Sequence, residues 1–343
     1  MTLSDHLVAA WYAPRLTALA AVLSPLALIF RVVVASRRAL YRAGVLRSER
    51  LPVPVVIVGN IVAGGSGKTP LVIALANVLG SRGWHPGIVS RGHGGASTTP
   101  RAVSADANPD EVGDEALLLA RSGHPVWVGH DRAAAARGLL AEHPLCDLIV
   151  ADDGLQHYAL ARDVEIAVVD AARALGNGLL LPAGPLREPA LRLDQVDAVV
   201  SVGGQWPERV VPAFVMSLVG NRFMRANAPA VTASPEAFRS GSVHAIAGIG
   251  NPQRFFDHLS ALGIAATCHA FPDHHRFTAE ELVFPGATAI LMTEKDAVKC
   301  SSFADDRCWV LPVRAAPDPA LLALVEEKLR GSQTTRDSGV PRD

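Results

Sequence analysis

Lys68 and Thr69 close the run GNIVAGGSGKT, residues 59–69, which follows the apolar PVPVVIV and leads into PLVIALANVLG. Glycines that tolerate left-handed backbone angles, then a lysine and a hydroxyl at the mouth of a helix, are the parts of a phosphate-binding loop. Backbone N–H groups of Ala63, Gly64, Gly65, Ser66 and Gly67 would cradle the phosphates of ATP. Lys68 would neutralise the β and γ oxygens, and Thr69 would hold Mg²⁺. Strict GxxxxGK[ST] spacing puts Val62 where the first glycine belongs, so Gly64 and Gly65 are expected to supply the missing freedom.

Acids and histidines follow. Asp152 and Asp153 end the apolar run LIVA; in a doubly wound sheet such a strand ends beside the phosphate loop, where carboxylates bind Mg²⁺ directly or through water. A helix cap is the plainer reading of the pair. Asp114 and Glu115, in VGDEALLLA, open a predicted helix, where acids usually cap and offset the dipole. Phosphoryl transfer to an alcohol, however, wants a carboxylate near the nucleophile. His157 lies in DGLQH, and Asp273, His274 and His275 in FPDHHRF. No second ligand pair stands at zinc-finger or HExxH spacing, so acid–base work beside a carboxylate is the better functional reading.

These groups need a scaffold. From Val53 the pattern is α/β: VPVVIVGN reads as a strand, TPLVIALANVLGSRG as a helix, HPGIVSRG and PVWVG as strands, DRAAAARGLLAEH as a helix and CDLIVADDG as a buried strand. Such alternation builds a doubly wound, mostly parallel sheet of the P-loop NTPase type. RALGNGLLLPAGPLREP is a long loop over that sheet, and long loops often carry function. The α/β pattern restarts at SVHAIAGIGNPQRFFDHLSALGI and again at ATAILMTEKDAVKC. We expect an apolar and basic segment at 1–50, a P-loop domain at 51–225, a connection at 226–240, a smaller α/β domain at 241–330 and a disordered polar tail at 331–343.

A net charge of −1 and a pI near 6.9 provide no basic field, which argues against a nucleic-acid partner. The four cysteines lack CxxC spacing and read as reduced packing thiols. The N-terminus is apolar from Leu16 to Phe30, meets Arg31, continues apolar to Ala35 and turns basic. Pro25 and Arg31 interrupt the roughly 20 uncharged residues a bilayer crossing needs. A membrane-associated helix lying on the surface is expected, with Arg31, Arg37, Arg38, Arg42, Arg47 and Arg50 toward anionic headgroups. An ordinary helix packed on the domain is the alternative.

The set VGNIVAGGSGKTP, SRGHGG, GDE, DDGLQH, LLPAGPLREP, FPDHHRF and MTEKDAVKC, in this order, resembles the tetraacyldisaccharide 4′-kinase family of lipid A biosynthesis. The resemblance implies ATP- and Mg²⁺-dependent phosphorylation of the 4′-hydroxyl of an acylated glucosamine disaccharide 1-phosphate, yielding lipid IVA. It also implies a peripheral enzyme docked among the lipids of the inner membrane, on its cytoplasmic face. Carried over residue by residue, it makes Asp114 the catalytic acid of GDE and His274 its partner, with Lys68 the phosphate lysine. Thr69, Glu115, Asp152 and Asp153 become metal-proximal, and Ser90, Arg91, His93 and Arg187 candidate substrate contacts. His93 is a departure, because the family commonly has tyrosine there. A rival class, a ParA-like nucleotide-switched membrane ATPase, uses the same loop and apolar segment but leaves LPAGPLREP and DHH without a task.

Overall fold

The computed structural model describes residues 3–96, 99–207 and 210–337. The apolar run before the glycines forms the strand Val55–Gly59, buried at every residue. Strands covered on both faces read as unbroken apolar runs, and this one lies in the interior of a nine-stranded sheet. The order is Arg314–Pro317, Ala213–Val219, Ala198–Val202, Val164–Asp170, Val55–Gly59, Leu148–Asp152, Pro86–Ser90, Val126–Val128, Arg101–Ala102. Pairing is parallel through the interior and antiparallel only at the two edges. Val55–Gly59 therefore sits between two strands whose carboxyl ends are Asp152 and Asp170, which brings both acids to the loop that follows Gly59.

On one face, Leu71, Leu75 and Leu79 of the helix Lys68–Ser81 pack with Leu117 and with Leu321 and Val325 of the last helix. On the other, Ala136 and Leu139 of the helix Arg132–Glu142 share a core with Leu180 and Leu186 of the Gly/Pro-rich loop. That loop is thus anchored by apolar side chains rather than draped over the surface. A second, six-stranded sheet runs Ala228–Ala233, Phe223–Arg225, Cys308–Leu311, Ala289–Thr293, Val243–Ala247, Thr267–Ala270. Its two faces are covered by Phe255, Phe256 and Leu259 and by Phe277 and Leu282.

The expected boundaries shift at both ends of the smaller unit. Phe223–Arg225 and Ala228–Ala233 already belong to the second sheet, so 226–240 is not a mere connection. After Cys308–Leu311 the chain returns: Arg314–Pro317 pairs with Ala213–Val219, and the helix Pro319–Asp337 packs on the first core. Residues 331–337 continue that helix instead of starting a disordered tail, and 338–343 lie outside the described residues. Local pattern identifies a strand but not the sheet it joins, because the partner is chosen by which edge is left uncovered.

The N-terminal segment forms Leu3–Trp11 and the 25-residue helix Ala18–Arg42, with Pro25 inside it. Neither Pro25 nor Arg31 breaks it, and by length and composition it is long and apolar enough to cross a membrane. Val22, Leu26, Ile29 and Val33 are all more than half exposed on it, and their i, i+4, i+7, i+11 spacing aligns them on one face. The arginines differ from expectation. Arg37 donates to the Gln156 carbonyl, Arg38 and Arg42 to Gln195, and Arg50 lies 3.5 Å from Asp163. Arg37, Arg38 and Arg42 fasten the helix to the domain, and Arg37 and Arg42 remain exposed, as do Arg31 and Arg47.

Candidate active site

The phosphate loop takes its sharp turns at Gly64 and Gly67, whose φ angles are +99° and +91°, a region that favours glycine. Gly67 is also the N-cap of Lys68–Ser81. Val62 needs no such freedom, because it forms an antiparallel bridge with Leu186 of the Gly/Pro-rich loop. One expectation changes here: the Ala63 N–H donates to the Pro185 carbonyl at 2.8 Å and so is not open to a phosphate. Gly64, Gly65, Ser66 and Gly67 remain the candidates for the cradle. Asn60 holds the loop from below, its Nδ2 donating to the Gly64 carbonyl and to Ser66 Oγ, both at 3.2 Å.

Beside the loop, Thr69 Oγ1 donates to Asp152 Oδ2 at 3.4 Å. Asp152 is fully buried and its Oδ1 has no hydrogen-bond partner. Burial, and next the charge of Glu115, push this carboxyl up to about 7 against the pull of Lys68. A buried carboxylate with an orphaned oxygen facing a second acid is short of a cation. Asp153, its neighbour, is not. Arg187 Nη1 reaches both its oxygens, at 3.1 and 2.9 Å, and Lys68 Nζ lies 3.5 Å away. Burial pushes the Asp153 carboxyl up, but Lys68 and Arg187 outweigh it and hold the group well below the usual range. Asp153 thus pairs with two cations, Lys68 and Arg187, in this structure.

Asp114 opens the helix Asp114–Ala120 and is 6% exposed. Its Oδ1 accepts from the Glu115 N–H at 2.8 Å, while Oδ2 lies 3.2 Å from Nδ1 of His274. His274 comes from the loop after Thr267–Ala270 in the second sheet and holds a left-handed φ of +60°, at a cost of roughly 1–3 kcal/mol that surrounding contacts must offset. The contacts come from Lys295. Its Nζ stands 3.1 Å from Asp273 Oδ1, 3.2 Å from Glu115 Oε1, 3.3 Å from His274 Nε2 and 3.9 Å from Asp114 Oδ2. With Nε2 accepting from this ammonium, Nδ1 carries the ring proton and donates it to Asp114. Burial raises the Asp114 carboxyl, but the His274 hydrogen bond and the Lys295 charge prevail, so it is ionised below the ordinary aspartate range. His93 packs its ring 4.7 Å from that of His274, a contact open to any aromatic side chain.

His157 and His275 have local partners away from this pair. Nε2 of His157 accepts from the Arg132 N–H at 3.3 Å, and burial, then Arg132, push the imidazole down to about 4. It is neutral and caps a helix. His275 pairs with Glu281. Ser90 is buried at the end of Pro86–Ser90, and Arg91 and His93 extend from it into the exposed loop. A cavity of about 1150 Å³ is lined by Gly65–Thr69 and Glu115 on one side and Arg254 and Lys295 on the other.

The model of the family described as tetraacyldisaccharide-1-P 4′-kinase matches residues 19–330. The chain belongs to that family. It is 53% identical over 315 residues to the tetraacyldisaccharide 4′-kinase of Azoarcus sp. (strain BH72), covering 91% of this chain and 92% of that one. Against the tetraacyldisaccharide 4′-kinase of Pseudomonas aeruginosa (strain LESB58) it is 46% identical over 340 residues, covering 96% and 98%. The solved structure of "apo" form LpxK from Aquifex aeolicus in complex with ATP superposes with a TM-score of 0.76 at 28% identity, over 91% of this chain and 99% of that one. Membership in the tetraacyldisaccharide-1-P 4′-kinase family favours the kinase reading over the ParA-like one.

Sequence reasoning passed over Asn60 and Lys295. Both stood in motifs that had been singled out, VGN and MTEKD. Lys295 had a readable signal: a lysine flanked by acids opening a helix right after a buried strand is placed like Lys68 is, at a sheet's carboxyl edge.

Proposed function

We propose that this chain transfers the γ-phosphoryl group of ATP to the 4′-hydroxyl of a tetraacylated glucosamine disaccharide 1-phosphate. The observation that carries the reading is that Glu115 and Lys295, which hold the Asp114–His274 pair, line the same cavity as residues 65–69 of the phosphate loop. Lys68 and the N–H groups of residues 64–67 stabilise the phosphates as charge spreads over the transferring group. Asp114, ionised and fixed by His274, orients the attacking hydroxyl and takes its proton. A loose phosphoryl-transfer transition state asks little basicity of that acceptor, so a carboxylate below its ordinary range suffices.

Thr69, Asp152 and Glu115 fit a magnesium ion: a hydroxyl and hard carboxylate oxygens, one of them orphaned. When bound, Mg²⁺ would add charge neutralisation at the β and γ oxygens. The apolar face of Ala18–Arg42 docks the enzyme where an acylated substrate resides, on the cytoplasmic side, where ATP is. The test is incubation with ATP, Mg²⁺ and acylated disaccharide 1-phosphate, followed by mass spectrometry of the lipid. A product heavier by one phosphoryl group is expected; release of inorganic phosphate with unchanged lipid would defeat the reading.

A further inference from the structure

The smaller sheet contributes more than the His274 loop. After Val243–Ala247 the chain runs through Gly248 to Asn251 and enters the helix Pro252–Ala261, and this turn sits directly on the phosphate loop. A Cβ built on Gly250 would lie 2.1 Å from the Gly65 nitrogen, so backbone meets backbone with no room for any side chain. Asp170 locks the contact from the first sheet. Its buried Oδ2 accepts from Asn251 Nδ2 at 2.8 Å and lies 3.4 Å from Arg254 Nη1, and Arg173 donates to the Gly250 carbonyl.

Arg254 is the consequential member. Its Nη1 stands 3.9 Å from where a Cβ on Gly67 would be, at the N-terminus of the phosphate-loop helix. It lines the same cavity as Lys68 and Thr69. Asp170 holds it by one edge at 3.4 Å, and a guanidinium has five N–H donors in a planar fork suited to phosphate oxygens. Lys68 by contrast is already shared with Asp153.

We infer that Arg254 is a second cation for the nucleotide, supplied from the smaller sheet, that hydrogen-bonds the β- or γ-phosphate oxygens of bound ATP and so ties phosphate binding to closure of the cleft. The inference rests on the ATP-dependent reading above and adds to it a residue that the phosphate-loop pattern does not contain.

The experiment measures dissociation constants for ATP and for AMP, by calorimetry on the full-length protein, in wild type, Arg254→Ala, Arg254→Lys and Lys68→Ala, with thermal unfolding as the folding control. Arg254→Ala should weaken ATP roughly 10- to 100-fold, the scale of a lost charge-assisted contact, and leave AMP nearly unchanged. Arg254→Lys, which keeps the charge without the fork and is the milder change for folding, should fall between. Equal losses for ATP and AMP in these variants would mean that Arg254 only shapes the cleft; unchanged ATP binding would mean that it touches no phosphate. Either result overturns the inference, and if Lys68→Ala still loses its preference for ATP the kinase reading survives. A wild-type protein that binds ATP no better than AMP would defeat both.

Discussion

The two charged clusters of the cleft are built differently. The phosphate cluster of Lys68, Thr69, Asp152 and Asp153 comes from neighbouring strands of one parallel sheet, whose backbone register alone sets Val58 beside Asp152. The acceptor cluster of Asp114, His274 and Lys295 joins two sheets, and 160 residues of chain separate Asp114 from His274. The first is present whenever the large sheet is folded; the second exists only while the two sheets are seated together. In the proposed reaction the proton acceptor is therefore positioned by how the two sheets seat together, and Gly250 and Arg254 bring the smaller sheet to the phosphate loop as well.

That contrast can be broken at either end. The largest effect is expected from Lys68→Ala, which strips the one-sheet cluster of its phosphate charge and should lower kcat by about 10²–10³ or more. Near-normal turnover would remove the loop from the reaction. Asp114→Ala should cost about 10² in kcat, the lower end for a lost general base because a loose transition state asks little basicity, while ATP binding stays near wild type. His274→Ala should act likewise. Because the two residues form one unit, the double variant should be little worse than the more damaging single, and multiplicative losses would show that they act independently.

Lys295→Met sharpens the comparison through pH. Asp114 must be ionised to act, and at present the His274 hydrogen bond and the Lys295 charge hold its carboxyl low against burial. Without the ammonium, burial gains, the pKa rises, and the acidic limb of the kcat profile should move upward. An unmoved limb would mean that Lys295 serves only to join the sheets. The smallest effect on chemistry belongs to a region outside both clusters. Val22→Glu with Ile29→Glu, on the exposed face of Ala18–Arg42, should cut partitioning onto lipid vesicles about tenfold or more. Turnover on detergent-dispersed substrate should be unchanged, and wild-type binding should resist salt, since apolar insertion is not screened.

What was legible follows the same division. The phosphate loop, the acids at the end of Leu148–Asp152 and the parallel sheet could be read because each depends on local backbone preference and on apolar runs that need cover on both faces. GDE and DHH could be named as chemical groups, but only the family resemblance joined them, since nothing in spacing says that a loop of one sheet meets a helix start of another. Asn60, Lys295 and Arg254 escaped for a related reason. An amide after a strand and a lysine and an arginine at helix starts look like solvated polar residues until tertiary packing sets them against named partners. The return of Arg314–Pro317 to the first sheet and the anchoring of Arg37, Arg38 and Arg42 on the domain were likewise decided in three dimensions. Local sequence sets which side chains a segment offers and which backbone angles it tolerates; which charges face one another is set by long-range packing, where one buried carboxylate selects its cation from whatever the opposing sheet presents.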